Sequence, residues 1–411
     1  MTEYLTGDLP GIGGRIKERV EDFCVEELPL YPPNGEGEHT FFEMRKAGQS
    51  TFQAVRDIAR ALGVPTNWIG YAGLKDAQAI TSQVLSVQGV PPEFVRALDL
   101  PGIQVQWAQR HRHKLKIGHL RGNRFTLRVR GVDELALATC RSILLALTRR
   151  GVPNRFGPQR FGMRGDSSLL GLAILRRDAR GFIQAFLGGP HPSESDRVQE
   201  ARSRFDAGQW EDALRAFPGR MADERQALQT LIRTQGDCHR ALATVPKRMK
   251  LFLLSAYQSA LFNQALDTRL QTLDQVFFGD LAMKHPGHSI FQVLDEEVEQ
   301  PRAARFEISP TGPLFGFKMM WASGRQAELE AAILAQQGVT LDDFRVGEGI
   351  GFKGERRSLR FQVHDPELWY DEGLMLRFWL PPGCYATAVL AEVMKGAPLP
   401  EPADQSDVTP L

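Results

Sequence analysis

The sequence predicts an α+β protein, with strands gathered in the first third of the chain and near its end, and helices filling much of the stretch between. Two patterns carry that prediction. Runs at residues 23–25, 40–45, 80–87, 103–107, 124–130 and 374–380 alternate apolar with polar side chains or are rich in strand-forming residues. Elsewhere apolar residues recur at helical spacing, as in Phe52, Val55, Ile58, Ala59 and Leu62, or in Leu251, Leu254, Tyr257, Leu261 and Ala265.

Taken in order, Gly11-Ile12-Gly13-Gly14 lacks a preceding apolar strand and a third glycine at dinucleotide-loop spacing, so it reads as a flexible entry to the fold. Phe23 and Val25 begin a half-buried strand that Pro29, Pro32 and Pro33 end. Ser50 with Gln53 fits a capping box for the helix from Phe52, and Gly63 and Pro65 stop it. The loop Gly70-Tyr71-Ala72-Gly73-Leu74-Lys75-Asp76 follows. Gly70 and Gly73 are expected to let the backbone turn tightly and approach a ligand. Asp76 beside a cation suits catalysis; the competing reading is a turn residue that bonds the backbone two positions on.

Residues 110–130 hold eight Lys or Arg, three His and no acid, a one-sign run that suits a phosphate backbone or a solvated face. Within it Phe125, Leu127 and Val129 share one strand face, and Arg124, Arg128 and Arg130 share the other, as an RNA-binding surface requires. Phe125 equally suits the core. Asp133 is expected to cap a helix carrying Leu135, Leu137, Cys140, Ile143, Leu144 and Leu147, closed by Gly151. The segment 151–165, with two Phe-Gly pairs and three arginines, reads as a loop along nucleic acid or as a hinge. Residues 166–246 are mostly helical in pattern, and the glycine-rich 347–354 reads as a linker back to a sheet.

Composition narrows the function. The chain has 411 residues, 42% hydrophobic and 24% charged, enough for two or three domains. No apolar run reaches membrane-spanning length, and the N-terminus lacks a signal-peptide pattern, so a cytoplasmic protein without a membrane is expected. Cys24, Cys140, Cys238 and Cys384 are far apart, and neither they nor the histidines show metal-ligand spacing, so no metal is expected.

GYAGLKDAQAITSQ (70–83), RGNRF (121–125), NRFGPQRFG (154–162), LSAYQSALFNQAL (254–266) and RFWLPPGCYATAVL (377–390) occur in an order that resembles the TruD family of pseudouridine synthases, from about Arg15 to Met394. The resemblance implies conversion of uridine to pseudouridine in transfer RNA, in bacterial members at uridine 13, with no cofactor. It implies a circularly permuted catalytic domain with a mostly antiparallel sheet, residues 1–153 plus 352–396, interrupted by an inserted family-specific α/β domain at 154–351. Residues 397–411 are expected to be a disordered tail. By motif, Asp76 matches the essential aspartate, acting as nucleophile or as a stabilising group in proton transfer. Phe125 matches the aromatic that stacks on the target base, Asn123 a substrate contact, and Phe23 and Phe378 further substrate-lining aromatics. Lys17 matches the partner of the catalytic carboxylate, with Lys75 the competing choice. Val20 stands where a proline is common, Arg155 where a tyrosine is usual, and 166–246 is longer than in the shortest members. A monomer is expected, with RNA covering the basic cleft. Two other readings are a non-catalytic RNA-binding protein and a nucleotide-dependent transferase, which neither glycine loop supports.

Overall fold

The computed structural model describes residues 3–347 and 349–396. Its strands, in chain order, are β1 (Phe23–Pro29), β2 (His39–Ala47), β3 (Ile69–Tyr71), β4 (Ile80–Gln88), β5 (Ile103–His111), β6 (Leu120–Val129), β7 (Val152–Pro153), β8 (Leu281–Lys284), β9 (Ile290–Gln292), β10 (Ile308–Leu314), β11 (Glu355–Ser358), β12 (Arg360–Phe361), β13 (His364–Tyr370) and β14 (Leu374–Leu380). The described residues fall into two units, 3–153 with 360–396, and 154–359. The expected tail from 397 lies outside the described residues.

In the first unit eight strands form one sheet in the order β13-β14-β6-β1-β4-β2-β5, with β3 also beside β4. All pairings are antiparallel except β1 with β4. The returning segment therefore completes the sheet, setting Phe378 of β14 opposite Phe125 of β6. Helix Thr51–Leu62 starts where the Ser50 hydroxyl accepts from the Gln53 N–H at 3.2 Å and ends at Gly63 in the left-handed region. It buries Val55, Ile58 and Ala59 in a core with Phe42, Met44, Leu85 and Val87. The later helix departs from expectation. It runs Ala136–Arg150 with no side-chain cap; Asp133 supplies only its carbonyl, to the Ala136 N–H at 3.2 Å, and Leu135 is exposed.

The second unit holds helices from Ser167–Leu175 to Gly324–Gln336 and an antiparallel sheet, β11-β10-β8-β9. Its longest helix, Lys247–Thr268, buries Leu253, Leu254, Tyr257, Leu261 and Ala265. Polar residues of that helix fasten the 154–162 loop. Asn263 exchanges two hydrogen bonds with the Phe156 main chain at 2.9 and 3.0 Å. Arg160 donates to Ser255 and Ser259, and Arg155 pairs with Asp267. The segment is therefore a loop bonded along its length to this helix. Two of the sequence motifs are the two halves of one joint.

The return to the first unit comes at Arg360 rather than at 352. Residues 355–358 pair with β10, so they belong to the second unit's sheet. The glycine-rich stretch before them is packed rather than a linker: Phe352 and Lys353 carbonyls accept from the N–H groups of Phe317 and Lys318. Gly354 has φ +84°, and a Cβ there would fall 2.8 Å from the Gly316 nitrogen.

Candidate active site

Alternation along β1 turns Phe23, Val25 and Glu27 to one face of the sheet, and register with β6 sets Val25 against Phe125 and Glu27 against Asn123. Three rings gather there. Phe23 and Phe125 meet edge to face with centroids 6.3 Å apart, and Phe125 and Phe378 lie 5.8 Å apart. All three are buried. Lys17, at φ +58°, carries its ammonium over the Phe23 ring, 4.3 Å from the centroid, and donates to the Asp76 carboxylate. That pair is mostly shielded, with side chains 4% and 17% exposed. Coulomb attraction is therefore screened less than at a surface.

Asp76 sits in the loop between β3 and β4. One carboxylate oxygen faces Lys17 and the other accepts from the Gln78 N–H at 2.9 Å, so the turn reading and the ion-pair reading describe the same side chain. The loop itself is held from below. Its Asp76 carbonyl accepts from Lys46 Nζ at 3.0 Å, and Lys46 also bonds the Gln49 carbonyl at 2.6 Å. Thr51 Oγ1 accepts from the Lys75 N–H and donates to Gln83, which in turn donates to the Gly73 carbonyl. Burial pushes the Lys46 ammonium down to about 8, and Lys75 adds to that, while the Asp76 charge acts the other way.

Lys75 turns away from Asp76. Its ammonium pairs with Glu27 in a nearly closed site, and Glu27 also accepts from the Val84 N–H at 3.2 Å. The two loop glycines also differ from expectation. Neither takes a positive φ; Gly70 is required because a Cβ would lie 2.3 Å from the Leu115 carbonyl oxygen, whereas Gly73 has room for one. Asn123 lies two residues before Phe125 on the same face of β6, and its Oδ1 is a buried acceptor with no hydrogen-bond partner.

On the opposite face of β6, the arginines expected to meet RNA are engaged internally. Arg124 pairs with Glu26 at 3.5 Å, Arg128 with Asp371 at 2.7 Å, and Arg130 makes a two-pronged contact with Asp22 at 2.7 and 2.8 Å. Burial acts to raise the Asp22 pKa, but Arg130 and the Arg19 N–H hold it below the usual carboxylate value. These partners come from positions 22, 26 and 371, which no local pattern around residue 124 announces.

The chain matches the family profile described as tRNA pseudouridine synthase D (TruD) over residues 1–393. The chain belongs to the TruD family. Among TruD relatives, tRNA pseudouridine synthase D of Geobacter sulfurreducens is 49% identical over 395 residues, covering 96% of this chain and 97% of that protein. The Geobacter metallireducens protein of the same name is 48% identical, covering 96% and 98%. A crystal structure from Methanosarcina mazei, described as a candidate TruD, superposes with a TM-score of 0.88 at 28% identity, covering 97% of both chains. The TruD fold seen here is thus a mixed one with mostly antiparallel sheets. Among the described residues, no helix is long and apolar enough to cross a membrane, and no three His, Cys, Asp or Glu side chains are grouped to hold a metal ion.

Residues that the sequence reading passed over are Lys46, Thr51, Gln83 and Glu27. Lys46 follows Arg45 in β2, so a cation there did not stand out, and only the fold brings it under the Asp76 loop.

Proposed function

We propose that this TruD-family chain isomerises a uridine of transfer RNA to pseudouridine, at position 13, with Asp76 as the essential aspartate and without a cofactor. The observation that carries the reading is the Asp76 carboxylate, paired with Lys17 directly beside the Phe23, Phe125 and Phe378 rings. The reaction breaks the N1–C1′ bond, turns the uracil and forms the C5–C1′ bond; the C5 proton leaves and N1 gains one. It is redox-neutral and imports no group, so an aspartate that adds to the sugar or base, or stabilises the sugar cation and takes the proton, is sufficient chemistry.

Each neighbour has a part in that chemistry. Lys17 holds the carboxylate in place by donating to one of its oxygens. The rings give the flat uracil an apolar partner and exclude water, with stacking worth about 1–3 kcal/mol. Asn123 Oδ1, an unpaired acceptor, suits the uracil N3–H. Residues 1–153 with the returning segment form a circularly permuted catalytic domain, interrupted by a family-specific insertion. The enzyme works as a cytoplasmic monomer.

Mapping pseudouridine across total RNA after incubation with wild type or Asp76→Asn tests the reading. One new site at position 13 of transfer RNA, made only by wild type, is expected. RNA binding with no new site from either protein would favour the non-catalytic alternative.

A further inference from the structure

At the far end of β2 from the Asp76 loop, the basic run lines an open hollow of about 610 Å³ with His39, His111, Arg112, His113, Lys114 and Lys116, among others. His39 and His111 are direct partners across β2 and β5. Both are more than nine-tenths buried, and the His39 Nδ1 has no hydrogen-bond partner although it is out of contact with solvent. Tyr31 walls the hollow by stacking on His111 with centroids 5.4 Å apart, and its hydroxyl lies 2.7 Å from His119 Nδ1.

We propose that this hollow is a second RNA-binding subsite, gripping a phosphodiester segment of the substrate several nucleotides from the reacting uridine. Lys116 supplies the principal cation, since it is exposed and makes no ion pair among the described residues, whereas Arg112 is paired with Glu36 and Lys114 bonds the Asn67 carbonyl. His39 lies beneath the surface with its Nδ1 sealed from solvent, so it forms the floor of the hollow, and contact with phosphate falls to the exposed Arg112, His113 and Lys116. Burial holds His39 and His111 below the usual imidazole range, so at neutral pH they are uncharged and the charge comes from the lysines and arginine. Seven residues of strand separate His39 from Lys46, roughly 23 Å at 3.3 Å per residue. Such a span cannot be bridged by one nucleotide, so the subsite reads a part of the RNA beyond the target. This inference rests on the reading that the substrate is RNA.

The experiment measures transfer RNA affinity at several salt concentrations, and the single-turnover rate at saturating RNA, for wild type, Lys116→Glu and His39→Phe. Lys116→Glu should weaken binding about tenfold near 0.1 M salt and lower the slope of log affinity against log salt by about 1. Its rate at saturation should stay within about twofold, because the hollow is remote from the chemistry. His39→Phe keeps a ring in the floor of the hollow and should leave affinity and slope within about twofold of wild type, since the sealed nitrogen meets no phosphate. Unchanged affinity and slope in Lys116→Glu would overturn the subsite. Wild type that binds transfer RNA but forms no pseudouridine would defeat the catalytic reading alone, since the subsite is read from binding. Wild type that binds no transfer RNA would defeat both.

Discussion

The two ends of β2 are built to opposite rules. At the Lys46 end, the loop that carries Asp76 is held by a closed set of partners: Lys46 and Thr51 on its main chain, Gln83 behind them, Lys17 on the carboxylate. At the His39 end, a buried nitrogen has no partner and an exposed lysine has no counter-ion among the described residues. The difference fits the part proposed for each end. Bond-making chemistry gains from groups already oriented before substrate arrives, because no reorganisation is then needed during the reaction. Holding a polyanion gains from groups that exchange water and salt for phosphate.

The sharpest way to probe the closed end is to separate its two lysines. Lys75→Met leaves Glu27 buried without its cation and should destabilise the fold on the order of 3 kcal/mol, read as a lower urea midpoint. Lys17→Met should instead lower the single-turnover rate on the order of 100-fold, with a smaller loss of stability because Asp76 keeps its Gln78 bond. The reverse pattern would exchange the roles given to the two lysines.

A second probe is Phe125→Ala. Turnover should fall about tenfold or more while transfer RNA affinity stays within about threefold, since most affinity comes from phosphate contacts. Equal losses in both would mark Phe125 as a core residue only.

The smallest effect concerns Lys46. Its folded pKa of about 8 lies below the unfolded value of about 10.4, so between these the unfolded chain binds more protons and stability rises with pH. Below pH 8 the cost of burying the charged form is constant. The stability of wild type relative to Lys46→Met should therefore move in favour of wild type between pH 7.5 and 9.5, by about 1–2 kcal/mol in urea titrations. A flat difference would mean that Lys46 is not desolvated as the fold suggests.

How much of this was legible depended on whether the cause was local. The helix at 51–62 could be read because Ser50 and Gly63 act within one turn of its ends. The alternation of Phe125, Leu127 and Val129 could be read because strand faces repeat every second residue. The Asp76 loop stood out by its residue types and its resemblance to the family motif. What escaped was set by distant partners. Arg124, Arg128 and Arg130 looked like a free basic face because Glu26, Asp371 and Asp22 approach from other elements. Gly70 read as a tight-turn glycine close to a ligand, because the chain that actually requires it, at Leu115, lies 45 residues on. The basic run did mark a distinctive surface, and one of its open cations, Lys116, lies in the connection before β6.

The division of labour along β2 is tested most directly by measuring affinity and single-turnover rate on the same transfer RNA for Asp76→Asn and Lys116→Glu. The expected result is that Asp76→Asn removes the rate and leaves affinity within about twofold, while Lys116→Glu weakens affinity about tenfold and leaves the rate within about twofold. If both variants lowered rate and affinity together, the two ends would be parts of a single site and the account would be wrong.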